Sequence, residues 1–347
     1  MKALFLAGGL GTRLRPLTDH LPKPMVPIMG VPLLERTIAE LKRCGVTEVV
    51  LSTGYKSDCI EKHFGVSQKM GMTVHCVCEE KPLGTGGAIK NCEKYFDSTF
   101  LVFNSDVLCN LDLKALVAFH RQKKADVTIS ATRVEDPSSY GVIEYNQEDF
   151  AISFTEKPKP GEEKSHFINA GIYVFEPKVL ELIPAGKKIS VEKDIFPLLL
   201  KKGLKIAVYH DGRYWIDIGT PGKYMRAHKD IFDGHCSIAE NNFSSEKIYE
   251  QEGAEISPSA KIEGPVWLGK DVHIGANACI GPNVVIGDGF HAGRGCSIQN
   301  SVIWNGVSLG SGVDIDHSLV TSDCQIESGI QCVDTIYSQE SKTHFTT

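Results

Sequence analysis

Gly8, Gly9 and Gly11 follow the short apolar run Ala3–Ala7, and Arg13 and Arg15 come immediately after them. Glycine lets backbone N–H groups approach an anion with no Cβ in the way, and the arginines add fixed positive charge. Lys23 stands between Pro22 and Pro24, whose fixed φ holds a flexible side chain near one place. The spacing is not a dinucleotide fingerprint, because a G-x-G-x-x-G motif starting at Gly9 would need glycine where Leu14 stands. It is not a Walker loop either, since no G-K-[ST] follows at the required distance. The glycines alone also fit a tight turn. Followed by three cations, they fit a phosphate-binding loop.

Other chemistry-bearing residues are scattered along the chain. Asn104-Ser105-Asp106 ends the apolar strand Phe100–Phe103, which puts a carboxylate at the sheet edge where ligands of open α/β sheets bind. Asp217 lies in Tyr214-Trp215-Ile216-Asp217-Ile218-Gly219, just before a helix. Either aspartate could instead cap a turn. A second glycine cluster, Glu80-Lys81-Pro82-Leu83-Gly84-Thr85-Gly86-Gly87, precedes a helix expected to start near Ala88 and also fits a helix cap. Phe154-Thr155-Glu156-Lys157-Pro158 closes another strand, and its Glu-Lys pair alone reads equally as a solvated surface pair.

The run Gly8-Gly9-Leu10-Gly11-Thr12-Arg13-Leu14-Arg15-Pro16-Leu17-Thr18, continued by Pro22-Lys23-Pro24, resembles the signature of the sugar nucleotidylyltransferases. The resemblance implies that Leu6, Ala7, Gly8, Gly9, Gly11 and Thr12 approach a nucleotide, and that Arg13 and Lys23 stabilise its triphosphate and the departing pyrophosphate. It implies that Glu80, Gly84 and Thr85 lie in the loop that reads the base. Pro-Leu-Gly-Thr is similar to the guanylyltransferases, including those for mannose 1-phosphate and heptose 1-phosphate. Asp106 and Asp217 match the family's magnesium ligands, although Ser105 replaces the usual glycine before the first. Glu156 inherits a role at sugar hydroxyls and Lys157 one at the sugar phosphate; Gly141 and Asn169 resemble sugar-pocket residues. The activity implied is transfer of a nucleoside monophosphate from an NTP to a sugar 1-phosphate, with GTP and mannose 1-phosphate preferred. Thymidylyl or uridylyl transfer to glucose 1-phosphate and guanylyl transfer to heptose 1-phosphate are the rival reactions. A non-catalytic regulatory subunit is a rival of another class, opposed by the presence of Arg13, Lys23, Asp106, Lys157 and Asp217.

These residues need a scaffold. Strand-like runs alternate with amphipathic helical stretches such as Leu33–Arg43 and Leu113–Gln122, the order of an α/β fold with helices on both faces of a Rossmann-like sheet. Gly141–Tyr145, Ile168–Phe175 and Ile206–Tyr209 break the alternation, so a mixed, mainly parallel sheet is expected. Beyond residue 254 aliphatics recur every sixth residue, at Ile256, Ile262, Leu268, Ile274, Ile280 and Ile286. This hexapeptide period resembles the left-handed parallel β-helix. Ile303, Leu309 and Ile315 continue it one residue early, implying a deletion at one corner, and the stack is expected to run to about Leu319. The organisation expected is a catalytic domain over 1–233, a linker over 234–253 and a β-helix domain with a C-terminal tail over 254–347. Many hexapeptide proteins are acyltransferases, which makes His273 and His291 alternative catalytic bases, but no inserted loop shapes a site around them. A structural or oligomer-forming role is preferred.

The 347 residues exceed what one core usually supports. A net charge of −6 offers no general attraction to nucleic acid or anionic membranes. The apolar run at the N-terminus is too short for a signal peptide or membrane span. The eleven cysteines contain no C-x-x-C pair and read as reduced thiols in the cytoplasm, with Cys76 and Cys78 packing on one strand rather than binding metal. The partners expected are small-molecule substrates and further copies of the chain.

Overall fold

The computed structural model describes residues 1–65, 71–159, 161–238 and 247–345. Their strands begin with near-continuous apolar runs, which suit strands covered on both faces. β1 (Lys2–Ala7), β2 (Glu48–Thr53), β3 (Thr73–Cys78) and β4 (Phe100–Asn104) form a parallel block in the order β4-β1-β2-β3. β5 (Val127–Arg133), β6 (Gly141–Tyr145), β7 (Ala151–Glu156), β8 (Phe167–Phe175) and β9 (Ile206–Tyr209) complete a nine-stranded mixed sheet. β8 joins the two parts, running antiparallel to β4, β5 and β6. Leu4, Val50, Phe100, Val102, Tyr173 and Phe175 are buried in the core around it.

Register decides where the loops fall. Leu6 pairs with Asn104, Ala7 with Thr53 and Thr53 with Cys78, so β1 to β4 end at one edge of the sheet. Gly8, Gly54, Glu79 and Ser105-Asp106 follow directly at that edge, where ligands of open α/β sheets bind.

The helix expected near Ala88 starts earlier, spanning Gly84–Asn91. Glycines in a first turn argue against a helix in sequence, but here they are required by what packs on them. A Cβ on Gly84 would come within 2.6 Å of the Ile189 carbonyl oxygen, and one on Gly87 within 2.5 Å of the Lys187 carbonyl oxygen. The Gly86 and Gly87 N–H groups donate to the Ile189 oxygen at 2.9 and 3.2 Å.

From Ile248 onward the chain winds into a left-handed parallel β-helix with three sheets. Val266, Val284 and Phe290 point inward with Ile274, Ile280, Ile286 and Ile298. The coil continues past the expected end near Leu319, through Gln325–Ile326, Gln331–Val333 and Thr335–Tyr337. The aliphatic signal fades there because Cys324 and Cys332 take inward positions. Successive coils are 18 residues apart at Val266↔Val284 and Cys279↔Ser297, and 17 apart at Val285↔Val302, Ser297↔Asp314 and Leu319↔Ile336. The missing residue is therefore lost at a corner, as the pattern implied.

A ladder of buried hydroxyls lines that corner. Ser301 accepts from the Ser318 N–H at 3.0 Å, and Ser318 accepts from the Thr335 N–H at 3.0 Å. Each hydroxyl also donates to a carbonyl just before it, Ser301 to Gln299 at 2.6 Å and Ser318 to Asp316 at 2.7 Å. The antiparallel strand Lys342–His344 pairs with Thr335–Tyr337 and closes the last sheet edge.

By packing, the chain divides into two compact units. One comprises Met1–Leu10, Pro22–Pro24 and Thr37–Trp215; the other comprises Gly11–Leu21, Met25–Arg36 and Ile216–Thr347. Residues 239–246 of the expected linker lie outside the described residues. All eleven cysteines are free, and burial pushes the Cys76 thiol up to about 11 and the Cys92 thiol to about 12. Such thiols pack rather than react. No helix among the described residues is long and apolar enough to cross a membrane.

The hydroxyl ladder is testable. Ser318→Ala strands the fully buried Thr335 N–H and is expected to cost ~1–3 kcal/mol. Denaturant unfolding of the variant measures this, and a midpoint equal to that of the parent would show the ladder to be dispensable.

Candidate active site

In the first unit, the glycine loop is fixed by what stands behind it. A Cβ on Gly54 would lie 3.1 Å from the Gly8 carbonyl oxygen, and one on Gly8 would lie 2.8 Å from Glu79 Oε1. Glu79 is itself tied down, accepting from Ser52 Oγ at 3.0 Å and from the Leu83 N–H at 2.9 Å. The carboxylate thus couples the Gly8 turn to the second glycine loop. Glu80 is exposed. At the end of a strand alternate residues face opposite ways, and the sequence does not say which of two adjacent glutamates turns inward.

Lys23 opens a short 3₁₀ turn and donates to Asp106 Oδ2 at 2.6 Å. Ser105 accounts for its departure from glycine, because its hydroxyl donates to the Leu6 carbonyl at 2.7 Å and ties the Asp106 turn to the end of β1. Lys23 is mostly covered and Asp106 about one third exposed, at 12% and 32%.

The expected sugar-pocket residues sit on β6, β7 and β8. A Cβ on Gly141 would come within 2.8 Å of Glu156 Oε2, so glycine makes room for that carboxyl. Burial, reinforced by Glu192, raises the Glu156 pKa above the ordinary carboxylate value, while Lys157 and Lys193 oppose the shift. Lys157 follows at φ 50 with its N–H on the Tyr140 carbonyl at 2.9 Å. β8 is irregular between Asn169 and Tyr173, with Gly171 at φ 77. There Asn169 accepts from the Gly171 N–H at 2.9 Å and donates to the buried Tyr173 hydroxyl at 2.7 Å. Thr85 donates to Glu192 at 2.6 Å, joining the second glycine loop to a residue more than one hundred positions away. No local signal in the sequence marks Glu192.

The second unit holds Arg13 and Asp217. Gly11, at φ 62, leads into the 3₁₀ turn Thr12–Leu14, and the Thr18 hydroxyl donates to the Gly11 carbonyl at 2.9 Å. Asp217 is buried; its Oδ1 accepts from the Gly219 N–H at 3.0 Å and its Oδ2 from Lys223 Nζ at 2.6 Å. Gly219 lies between the acid and the arginine, since a Cβ there would sit 2.6 Å from Asp217 Oδ1 and 3.1 Å from Arg13 Nη2. The helix Pro221–Phe232 carries Lys223, with Thr220 as its cap and proline at its first position.

Each unit therefore presents a carboxylate with a lysine on one oxygen, and the second adds Arg13 beside Gly219. These are oxygen donors of the kind a hard divalent cation takes. His273, by contrast, pairs with Glu255 at 2.9 Å and stacks near His291 with ring centroids 5.6 Å apart, on the outside of the solenoid.

The Nucleotidyl transferase family model matches residues 2–234, and that of the GMPPB C-terminal domain matches residues 262–344. The chain belongs to the nucleotidyl transferase family. A mannose-1-phosphate guanylyltransferase of Mycobacterium tuberculosis is 40% identical over 300 residues, covering 86% of this chain and 82% of that protein. Mannose-1-phosphate guanyltransferase beta-A of Xenopus laevis is 37% identical over 288 residues, 82% of this chain and 74% of its own. Among solved structures, HddC from Yersinia pseudotuberculosis complexed with GMP-PN superposes with a TM-score of 0.57 at 36% identity. It covers 65% of this chain and 97% of its own.

Two outcomes follow from the site. Gly8→Ala drives a methyl group against Glu79 and is expected to lower turnover sharply with little loss of helix and strand content; activity assay with circular dichroism decides. Glu156→Gln removes a carboxyl whose ionisation is penalised in the folded state. The protonated acid resembles Gln, so the variant should gain stability relative to the parent as pH rises from the ordinary glutamate value through the raised one. Melting temperatures across that range that stay parallel would refute the assignment.

Proposed function

We propose that the chain transfers GMP from GTP to mannose 1-phosphate, giving GDP-mannose and pyrophosphate. The observation that carries this reading is the extent of the likeness to mannose-1-phosphate guanylyltransferases, which reaches 86% of the chain.

A phosphate oxygen of the sugar phosphate attacks the α-phosphorus of GTP, the bond from that phosphorus to the β-phosphate bridging oxygen breaks, and pyrophosphate leaves with the electron pair. The nucleophile is already an anion and needs little general-base help. The difficulty lies in bringing anions together. Arg13 and Lys23 offset charge on the triphosphate and on the leaving pyrophosphate, and Lys157 does so on the sugar phosphate. Leu6, Ala7, Gly8, Gly9, Gly11 and Thr12 form the nucleotide loop. Glu80, Gly84 and Thr85 belong to the base-reading loop, with Glu79 setting its position. Glu156 and Asn169 hold sugar hydroxyls, with Gly141 allowing close approach. Asp106 and Asp217 would hold magnesium, whose chemistry is charge neutralisation at the transferring phosphoryl group.

The proposal includes a catalytic domain over 1–233, a linker over 234–253, a β-helix domain over 254–347, a cytoplasmic site of action and self-association through the β-helix. Light scattering that returns the monomer mass would reject the last point.

The main test is pyrophosphate release with magnesium over a matrix of nucleoside triphosphates and sugar 1-phosphates. GTP with mannose 1-phosphate should give the highest kcat/KM, and absence of turnover across the matrix would sink the reading. Asp106→Asn and Asp217→Asn should each lower kcat at least ~100-fold, the equivalent of several kcal/mol at a charge-stabilising centre. Circular dichroism should stay parental, since asparagine keeps the shape of the acid, although it loses the oxygen that accepts from the lysine. Near-parental turnover in either variant would remove that residue from the metal site.

A further inference from the structure

The segment that follows Lys23-Pro24 is a tight hairpin, Pro27–Ile28 paired with Val31–Pro32, turning through Met29 at φ 47 and Gly30 at φ 75. It packs in the same unit as Arg13, Asp217 and the β-helix. Four of its polar main-chain groups are held by the helix Pro221–Phe232 and by Arg36, which also donates from Nη2 to the Met29 carbonyl at 2.9 Å. The Tyr224 hydroxyl donates to the Pro27 carbonyl at 2.5 Å, the Met29 N–H donates to His228 Nε2 at 3.2 Å, and Arg36 Nε donates to the Ile28 carbonyl at 2.7 Å. His228 Nδ1 lies 3.0 Å from the Tyr224 carbonyl, which fixes a neutral ring with its proton on Nδ1. Burial lowers its pKa to about 4, so the ring accepts from Met29 throughout the neutral range.

The β-helix reaches this clamp through indoles. Trp304 Nε1 donates to the Tyr224 hydroxyl at 3.0 Å, and both side chains are buried. A Cβ on Gly30 would lie 3.4 Å from Trp267 Nε1. A tyrosine hydroxyl has one proton to give and can rotate it. With the Trp304 N–H on its oxygen, the Tyr224 proton is directed to Pro27. Tyr224 also stands one residue after Lys223, the partner of Asp217.

We propose that Trp304 is a positioning residue for the nucleotidyl transfer, acting through the Tyr224 hydroxyl on the hairpin after Lys23 and on the helix whose Lys223 engages Asp217. The β-helix thereby takes part in catalysis in addition to any role in assembly. This inference rests on the proposed transferase activity, and hydrogen exchange supplies a readout independent of it.

Trp304→Phe, Tyr224→Phe and the double variant are compared in the full-length protein. Each single variant should lower kcat about tenfold or more while KM for both substrates moves less than about twofold, the pattern of misplaced catalytic groups rather than lost binding. The double variant should be no slower than Tyr224→Phe, because both changes break one relay. Amide exchange of the 26–36 segment should speed up about tenfold in each variant while β-helix segments keep parental rates. Parental exchange and turnover in Tyr224→Phe, which removes a single oxygen and serves even if Trp304→Phe fails to fold, would overturn the proposal. So would losses that multiply in the double variant. If the parent has no transferase activity, the reaction assignment fails, and the exchange rates alone decide for or against the clamp.

Discussion

A backbone that must approach a phosphate closely has to give up its side chains, and with them the contacts that would otherwise fix its position. Gly8, in the proposed nucleotide loop, meets this constraint by borrowing order from behind: Gly54 allows the β2 end to close on it, and Glu79, anchored to Ser52 and to the Leu83 N–H, stands where a Cβ would go. The second glycine loop repeats the device, with Gly84, Gly86 and Gly87 seated on the Lys187–Ile189 backbone. Both glycine loops are thus held in place because residues distant in sequence fill the space that glycine leaves. The sheet serves this end by delivering four parallel strands to one edge in a common register.

Much of this was legible in the sequence. The strand runs and the hexapeptide period predicted the two architectures, because apolar spacing reports burial directly. The pairings of the charged residues were not legible. Lys23 meets Asp106 over a separation of 83 positions, and Lys223 meets Asp217 from the first turn of a helix. No periodicity encodes a partner chosen by tertiary folding. Glu79 was hidden by its neighbour Glu80, and the last β-helix coil by cysteines in place of aliphatics. The start of the next helix at Gly84, four residues before the expected Ala88, is hidden for a related reason. Propensity counts glycine against a helix, whereas packing against Ile189 requires it.

The acidic groups show how the fold accommodates charge. Asp217 is buried but engaged on both oxygens, by Gly219 and Lys223. Glu156 is half-buried beside Glu192, and its raised pKa records the cost of that environment. Binding a hydroxyl-rich ligand is a use that suits such a carboxyl, since ligand donors replace the water it has lost.

The change from 18 to 17 residues per coil bears on how such a domain can grow. Once the corner has lost a residue, the register of Ser301, Ser318 and Thr335 is set by the shorter coil. A duplicated 17-residue unit brings its own hydroxyl to the same place and extends the ladder. An 18-residue unit copied into that region restores the longer corner and leaves the N–H above it without an acceptor. Lengthening is further confined to positions before Lys342–His344, whose antiparallel pairing ends the stack. The geometry of one corner thus decides which insertions the lineage could keep.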